Sequence, residues 1–135
     1  MSKIDAVNVW SLQYRLLTQL IAEVAPAASA LGVDMKELFV LAEIDAHPTP
    51  AAVAAQLCMP KPSVTVNLKS LEAAGFVKRE IDREDLRRHK LAVTPAGRKV
   101  LGRGLALLSE AVGKRLGKLS AAERATFEQL LEKMS

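Results

Sequence analysis

Apolar residues recur at every third or fourth position through most of the chain, which is the spacing of helices with one buried face. The first such run is Val9, Leu12, Leu16, Leu17, Leu20, Ile21 and Val24, and Asp5 precedes it as a residue able to cap a helix start. Pro26 is expected to bend or interrupt this helix, which resumes toward Leu31 and stops at Gly32. Asp34 followed by Glu37 has the form of a capping box and opens a helix over 35–44, with Leu38, Leu41 and Ile44 on its apolar face. His47-Pro48 closes it. Thr49-Pro50 then places a cap and a first-turn proline before a short helix over 51–57, followed by a three-residue turn. The next helix starts near Pro62, buries Val64, Leu68 and Leu71, and ends at Ala74-Gly75, where glycine suits a left-handed cap.

After Gly75 the period changes. FVKRE and KLAVT are short segments with β-branched residues, separated by the charged stretch IDREDLRRH, and together they predict a two-stranded hairpin with a long tip. Thr94-Pro95 repeats the cap-and-proline device before a helix over 96–116. Ser120 with Glu123 opens a last helix, with Phe127, Leu130, Leu131 and Met134 expected to face inward. A short helix, a tight turn, a longer helix and an arginine-rich hairpin make a winged helix-turn-helix. In that arrangement the second helix enters a DNA major groove and the hairpin tip reaches the adjacent minor groove.

Charge supports this placement. Residues 61–103 carry eleven Lys/Arg against five Asp/Glu, whereas residues 1–60 carry three against six. A basic segment inside an otherwise balanced chain fits an anionic polymer as partner, although a solvated, salt-bridged surface would look the same on charge alone. Composition narrows the remaining classes. With 135 residues, half of them hydrophobic, the chain has the make-up of one globular domain. One cysteine and two distant histidines argue against disulfides and a dedicated metal cage. No catalytic Ser-His-Asp or Cys-His pair and no phosphate-binding glycine loop stands out, so an enzyme is not expected, nor is a cofactor. Residues 1–5 do not begin a signal peptide, and the apolar stretch 16–33 is broken by Gln19, Glu23 and Pro26, so a cytoplasmic protein with no membrane span is expected.

The strings KPSVTVNLKSLEAAGFVKR and DREDLRRHKLAVTPAG resemble the recognition helix and the wing of the MarR (multiple antibiotic resistance regulator) family of bacterial transcription factors. The second string carries Asp, then Asp-x-Arg, then an apolar-Thr-Pro close at that family's spacings. The resemblance implies a mainly α fold: a winged helix-turn-helix with long N- and C-terminal dimerisation helices and a two-stranded β wing. It divides the chain into an N-terminal dimerisation helix at 1–33, a DNA-binding region at 34–94 and C-terminal dimerisation helices at 95–135, all within one compact domain. The apolar stripes Leu101, Leu105, Leu108, Val112, Leu116 and Leu16, Leu20, Val24 exceed what a monomer of this shape would bury. A homodimer and a pseudo-palindromic double-stranded operator follow. The implied function is a dimeric repressor released from DNA by a small-molecule effector; the alternative is a winged helix that serves protein–protein contact alone.

Residue by residue, the resemblance places Arg87 in the minor groove, Asp85 as the acid that orients it, Arg88 beside it, and Asp82 as a brace for the loop. On the recognition helix, Lys61 and Lys69 are expected to meet phosphates, and Ser63 and Thr65 to donate to phosphates or bases. Val66 is expected to touch a thymine methyl. Pro62 in the first turn makes Lys61 the cap, which supplies no acceptor and leaves backbone N–H groups for a phosphate. Val66 and Leu86 depart from the family, many of whose members have arginine at both positions. Family effectors bind between the dimerisation and DNA-binding parts, where Trp10, Tyr14, Arg15 and Phe39 are placed to line the site. Cys58, at the helix-turn-helix turn between Leu57 and Met59, is read as a small core residue and not as an oxidant sensor. The five glycines between Gly97 and Gly117 are poor helix formers in a helical segment.

Overall fold

The computed structural model describes residues 3–81, 83–85 and 89–135, in which six helices and two strands follow one another. They are α1 (Ala6–Ala30), α2 (Met35–Glu43), α3 (Pro50–Leu57), α4 (Lys61–Ala73), β1 (Val77–Ile81), β2 (His89–Val93), α5 (Pro95–Leu116) and α6 (Ala121–Met134). The caps read from the sequence form. Asp5 accepts the Asn8 N–H at 3.0 Å. Asp34–Glu37 and Ser120–Glu123 make complete capping boxes, and Thr49 Oγ1 accepts the Ala52 N–H. One expectation fails: α1 runs unbroken through Pro26. Val24 and Ala28 on either side of it are buried, and their packing outweighs the loss of one backbone N–H. No single helix among the described residues is long and apolar enough to cross a membrane.

The chain forms two compact units, one of residues 25–105 and one of residues 1–24 with 106–135. The first has a filled aliphatic core. Leu38, Leu41 and Ile44, Val53, and Val64, Leu68 and Leu71 are all fully buried, each set at the three-to-four spacing that predicted it. The hairpin closes this core with Val77, Leu91 and Val93. Its register pairs Val77 with Val93, Arg79 with Leu91 and Ile81 with His89. The hairpin is also tied to the body. The Leu91 N–H donates to Pro48 O at 2.7 Å, and Thr94 Oγ1 donates to Gly75 O at 2.6 Å while accepting the Gly97 N–H. Gly75, at φ +80°, supplies the left-handed residue between α4 and β1.

Two of the α5 glycines are accounted for by close packing in this unit. A Cβ at Gly97 would run into the Phe76 carbonyl, and one at Gly104 would lie 2.5 Å from Leu38 Cδ1. At Gly102 and Gly113 a Cβ would meet open space.

The second unit is built differently. Only Val24 and Ala111 are buried in it among the described hydrophobic residues. Arg115 donates to Glu23 Oε2 at 2.7 Å and to Ala111 O at 3.1 Å, and this bond holds the Glu23 carboxyl below the usual carboxylate range. Leu16, Leu20, Val112, Leu116, Leu119 and Phe127 line an apolar cleft of about 420 Å³. The expectation that Phe127, Leu130, Leu131 and Met134 face inward is corrected: all four are exposed, because the described residues leave that side of α6 largely uncovered.

Candidate nucleic-acid interface

The helix-turn-helix consists of α3, residues 58–60 and α4. Its turn depends on Cys58, which adopts the left-handed conformation (φ 52°) and caps α3 with its backbone N–H. Cys58 is exposed, so the reading of it as a core residue is corrected: the left-handed backbone turns its side chain outward although both neighbours are apolar.

With Val64, Leu68 and Leu71 turned inward, α4 presents Lys61, Pro62, Thr65, Val66 and Lys69 to solvent, and Ser63 is half-buried. Neither Lys61 nor Lys69 has an ion-pair partner among the described residues, so both charges are available to an external anion. Val66 is 67% exposed, an apolar side chain between two lysines in the sequence of this face. Two details of this face differ from expectation. Pro60, not Lys61, is the N-cap, which moves Lys61 and Pro62 into the first turn. The N–H groups of Ser63 and Val64 both donate to Pro60 O, and Pro62 has none, so the helix start offers an anion at most the Lys61 N–H. Thr65 Oγ1 donates to Lys61 O at 3.0 Å, so its hydroxyl faces a ligand as an acceptor and not as the expected donor.

In the wing, Asp85 is half-buried, while Asp82, Leu86, Arg87 and Arg88 lie outside the described residues, as do the roles expected of them. On the strands, Lys78 pairs with Glu80 at 3.1 Å, and Arg79 Nε donates to Glu72 Oε1 on α4 at 2.6 Å. Arg98 grips Asp45 with two bonds of 2.9 and 3.1 Å; this lowers the Asp45 pKa and raises that of Arg98. Part of the central positive charge is therefore neutralised within the fold. The Arg79–Glu72 and Arg98–Asp45 pairs escape a sequence reading because partners seven and 53 residues apart leave no periodic signal.

Of the residues assigned to an effector, Trp10 and Tyr14 stack on α1 with ring centroids 5.2 Å apart and an interplanar angle of 11°. Both are exposed, as is the neighbouring Arg15. Phe39 is half-buried on α2, in the other unit. Among the described residues, no group of three His, Cys, Asp or Glu side chains is placed to hold a metal ion.

Comparison with known proteins agrees with this geometry. A model of the MarR family matches residues 31–88. The transcriptional regulator HosA of Escherichia coli is 36% identical over 74 residues, so the match spans 55% of this chain and 55% of HosA. The HTH-type transcriptional repressor Rv2887 of Mycobacterium tuberculosis is 28% identical over 132 residues, covering 96% of this chain and 95% of the repressor. The structure of Rv2887 in complex with DNA superposes with a TM-score of 0.74 at 27% identity, over 93% of this chain and 95% of that one. Its complex with p-aminosalicylic acid superposes at 0.75 and 28% identity, over 92% and 95%.

Proposed function

We propose that this chain is a transcription regulator of the MarR family, a dimeric repressor that binds double-stranded operator DNA and is released by a small-molecule effector. The carrying observation is the outward face of α4, where Lys61 and Lys69, without an ion-pair partner among the described residues, stand on either side of exposed Val66. Lysines without internal partners suit phosphates, and an apolar side chain at that depth suits a thymine methyl in the major groove. Pro62, Ser63 and Thr65 complete the contact surface. Arg87 and Arg88 serve the minor groove, with Asp85 orienting Arg87. Residues 34–94 form the DNA reader, and residues 1–33 and 95–135 the dimerisation part, whose uncovered apolar side chains a second copy would bury. The operator is then pseudo-palindromic. Small aromatic acids are the class of effector, by analogy with the p-aminosalicylic acid complex of Rv2887. The Trp10–Tyr14 stack beside Arg15 offers such a molecule an aromatic face and a cation, and Phe39 is the further residue we assign to effector binding. A protein with these partners works in the cytoplasm.

The test is a fluorescence-anisotropy titration on an operator selected from genomic fragments and on scrambled duplex, at several salt concentrations. Arg87→Ala weakens operator binding by about 1–3 kcal/mol. Lys69→Ala weakens both duplexes alike and flattens the log–log salt slope by about 0.9. Equal, salt-insensitive binding by the parent and Arg87→Ala would replace this reading with a protein-interaction module.

A further inference from the structure

We propose that the Glu72–Arg79 ion pair sets the angle of the wing against the recognition helix, so that both are positioning residues for DNA reading and Arg79 is not a phosphate contact. The inference rests on the DNA-binding reading above. Side chains alternate across a strand, so Arg79 shares a face of β1 with Val77, and the register sets it opposite Leu91. Val77, Leu91 and Val93 are all buried, which makes this the face turned toward the core. Lys78 and Glu80 point the other way and satisfy each other at 3.1 Å. Arg79 is exposed but shares the core-facing side of the hairpin, and at that edge it meets Glu72 in the last turns of α4 at 2.6 Å, a short charge-assisted bond.

This bond matters because of what else holds the wing. A two-stranded hairpin has little stability of its own. The joint between α4 and β1 is residues 74–76, centred on a glycine whose backbone resists little. At the root, Thr94 is tied to Gly75. Farther out, β2 is fastened to the body by Leu91 N–H on Pro48 O, and the paired residue of β1, Arg79, is tied to the body through Glu72. One bond on each strand, at one level of the ladder, defines a hinge line. Without the Glu72–Arg79 bond the root of the hairpin stays held by Thr94 and the buried valines, but at the level of Leu91 one strand alone is fastened, so the outer hairpin can turn about that point.

The experiment compares Glu72→Gln, Arg79→Gln and the reversed double variant Glu72→Arg/Arg79→Glu with the parent, on operator and scrambled duplex across a salt series. Positioning predicts that both single variants lose operator affinity, by roughly threefold to tenfold, with the parent's salt slope retained. The reversed pair recovers most of the loss. Amide exchange at Lys90 and Leu91 speeds up in the single variants and is restored in the reversed one, a readout that needs no DNA. Simple electrostatics predicts opposite signs instead: Glu72→Gln tightens binding to both duplexes, while Arg79→Gln weakens it and reduces the slope by about 0.9. That result, or single variants indistinguishable from a selective parent, overturns the positioning role alone. A parent with no preference for operator overturns the DNA reading and this inference with it.

Discussion

Residues 25–105 and the unit made of 1–24 with 106–135 come from the same aliphatic alphabet and use it in opposite ways. The first closes on itself: every inward stripe of α2, α3 and α4 finds a partner, and the hairpin seals the edge. The second leaves its stripes bare. Twelve of the fifteen large hydrophobic residues described as exposed belong to it, from Ile4 to Leu17 on one side and Phe127 to Met134 on the other. Helical spacing tells that a face is apolar, but it does not tell whether the cover comes from the same chain. A self-sufficient unit suits a reader of fixed shape, and an unfinished one suits assembly.

The sharpest way to break this contrast is to remove one leucine from each unit. Leu68→Ala empties a fully buried site and costs about 2–5 kcal/mol, seen as a fall in Tm that is the same at every protein concentration. Leu131→Ala, at a position 45% exposed in the single chain, lowers Tm by an amount that depends on protein concentration, because the cover it loses belongs to another copy. If Leu131→Ala leaves both Tm and sedimentation unchanged, the second unit is a bare surface and not an interface.

Within α5 the same contrast is tested by adding a methyl group. Gly104→Ala drives a Cβ into Leu38 and costs about 1–3 kcal/mol. Gly102→Ala, two residues away, meets nothing and adds up to about 1 kcal/mol through helix propensity. Urea unfolding of the two variants separates these signs, and equal effects would deny that Gly104 is needed for close approach.

The smallest effect concerns acid. The bond from Arg98 holds the Asp45 carboxyl below its ordinary value, and the bond from Arg115 does the same for Glu23. A depressed carboxyl pKa stabilises the fold above the unfolded value and loses that contribution as pH falls through the folded one. Thermal melts from neutral pH downward should therefore show parent and Asp45→Asn converging below about pH 4, and Glu23→Gln doing the same for the other unit. Both pairs are exposed, so the differences are small. A gap that persists unchanged in acid would mean that the asparagine acts through something other than charge.

Most of the architecture was legible because its signals are local. Asp34–Glu37, Thr49-Pro50, Thr94-Pro95 and Ser120–Glu123 mark helix starts within four residues, and the buried stripes repeat within one or two turns. What the sequence hid was decided over distance or by backbone conformation. Cys58 sits where a left-handed residue is required, and no spacing rule distinguishes it from a packed cysteine. Thr65 donates to its own helix, a choice made by its rotamer. Pro26 remains inside α1 because buried neighbours hold the helix there, which propensity alone does not reveal. The outward face of α4 was read correctly in its exposed lysines and Val66, since exposure there is the complement of a strong buried stripe.

The two units also differ in how the chain is threaded. Residues 25–105 are continuous, whereas the other unit joins the first 24 residues to the last 30. During synthesis the 25–105 unit therefore has all its parts as soon as residue 105 has left the ribosome. Leu16 and Leu20 on α1 emerge well before Val112, Leu116 and Phe127, with which they line the apolar cleft. At about 5–20 residues per second the wait lasts several seconds, during which a sticky amphipathic segment hangs from a growing chain. Chaperones that hold nascent apolar segments would find a client in α1, and a product cut short after residue 105 would carry one finished unit on an unfinished stem.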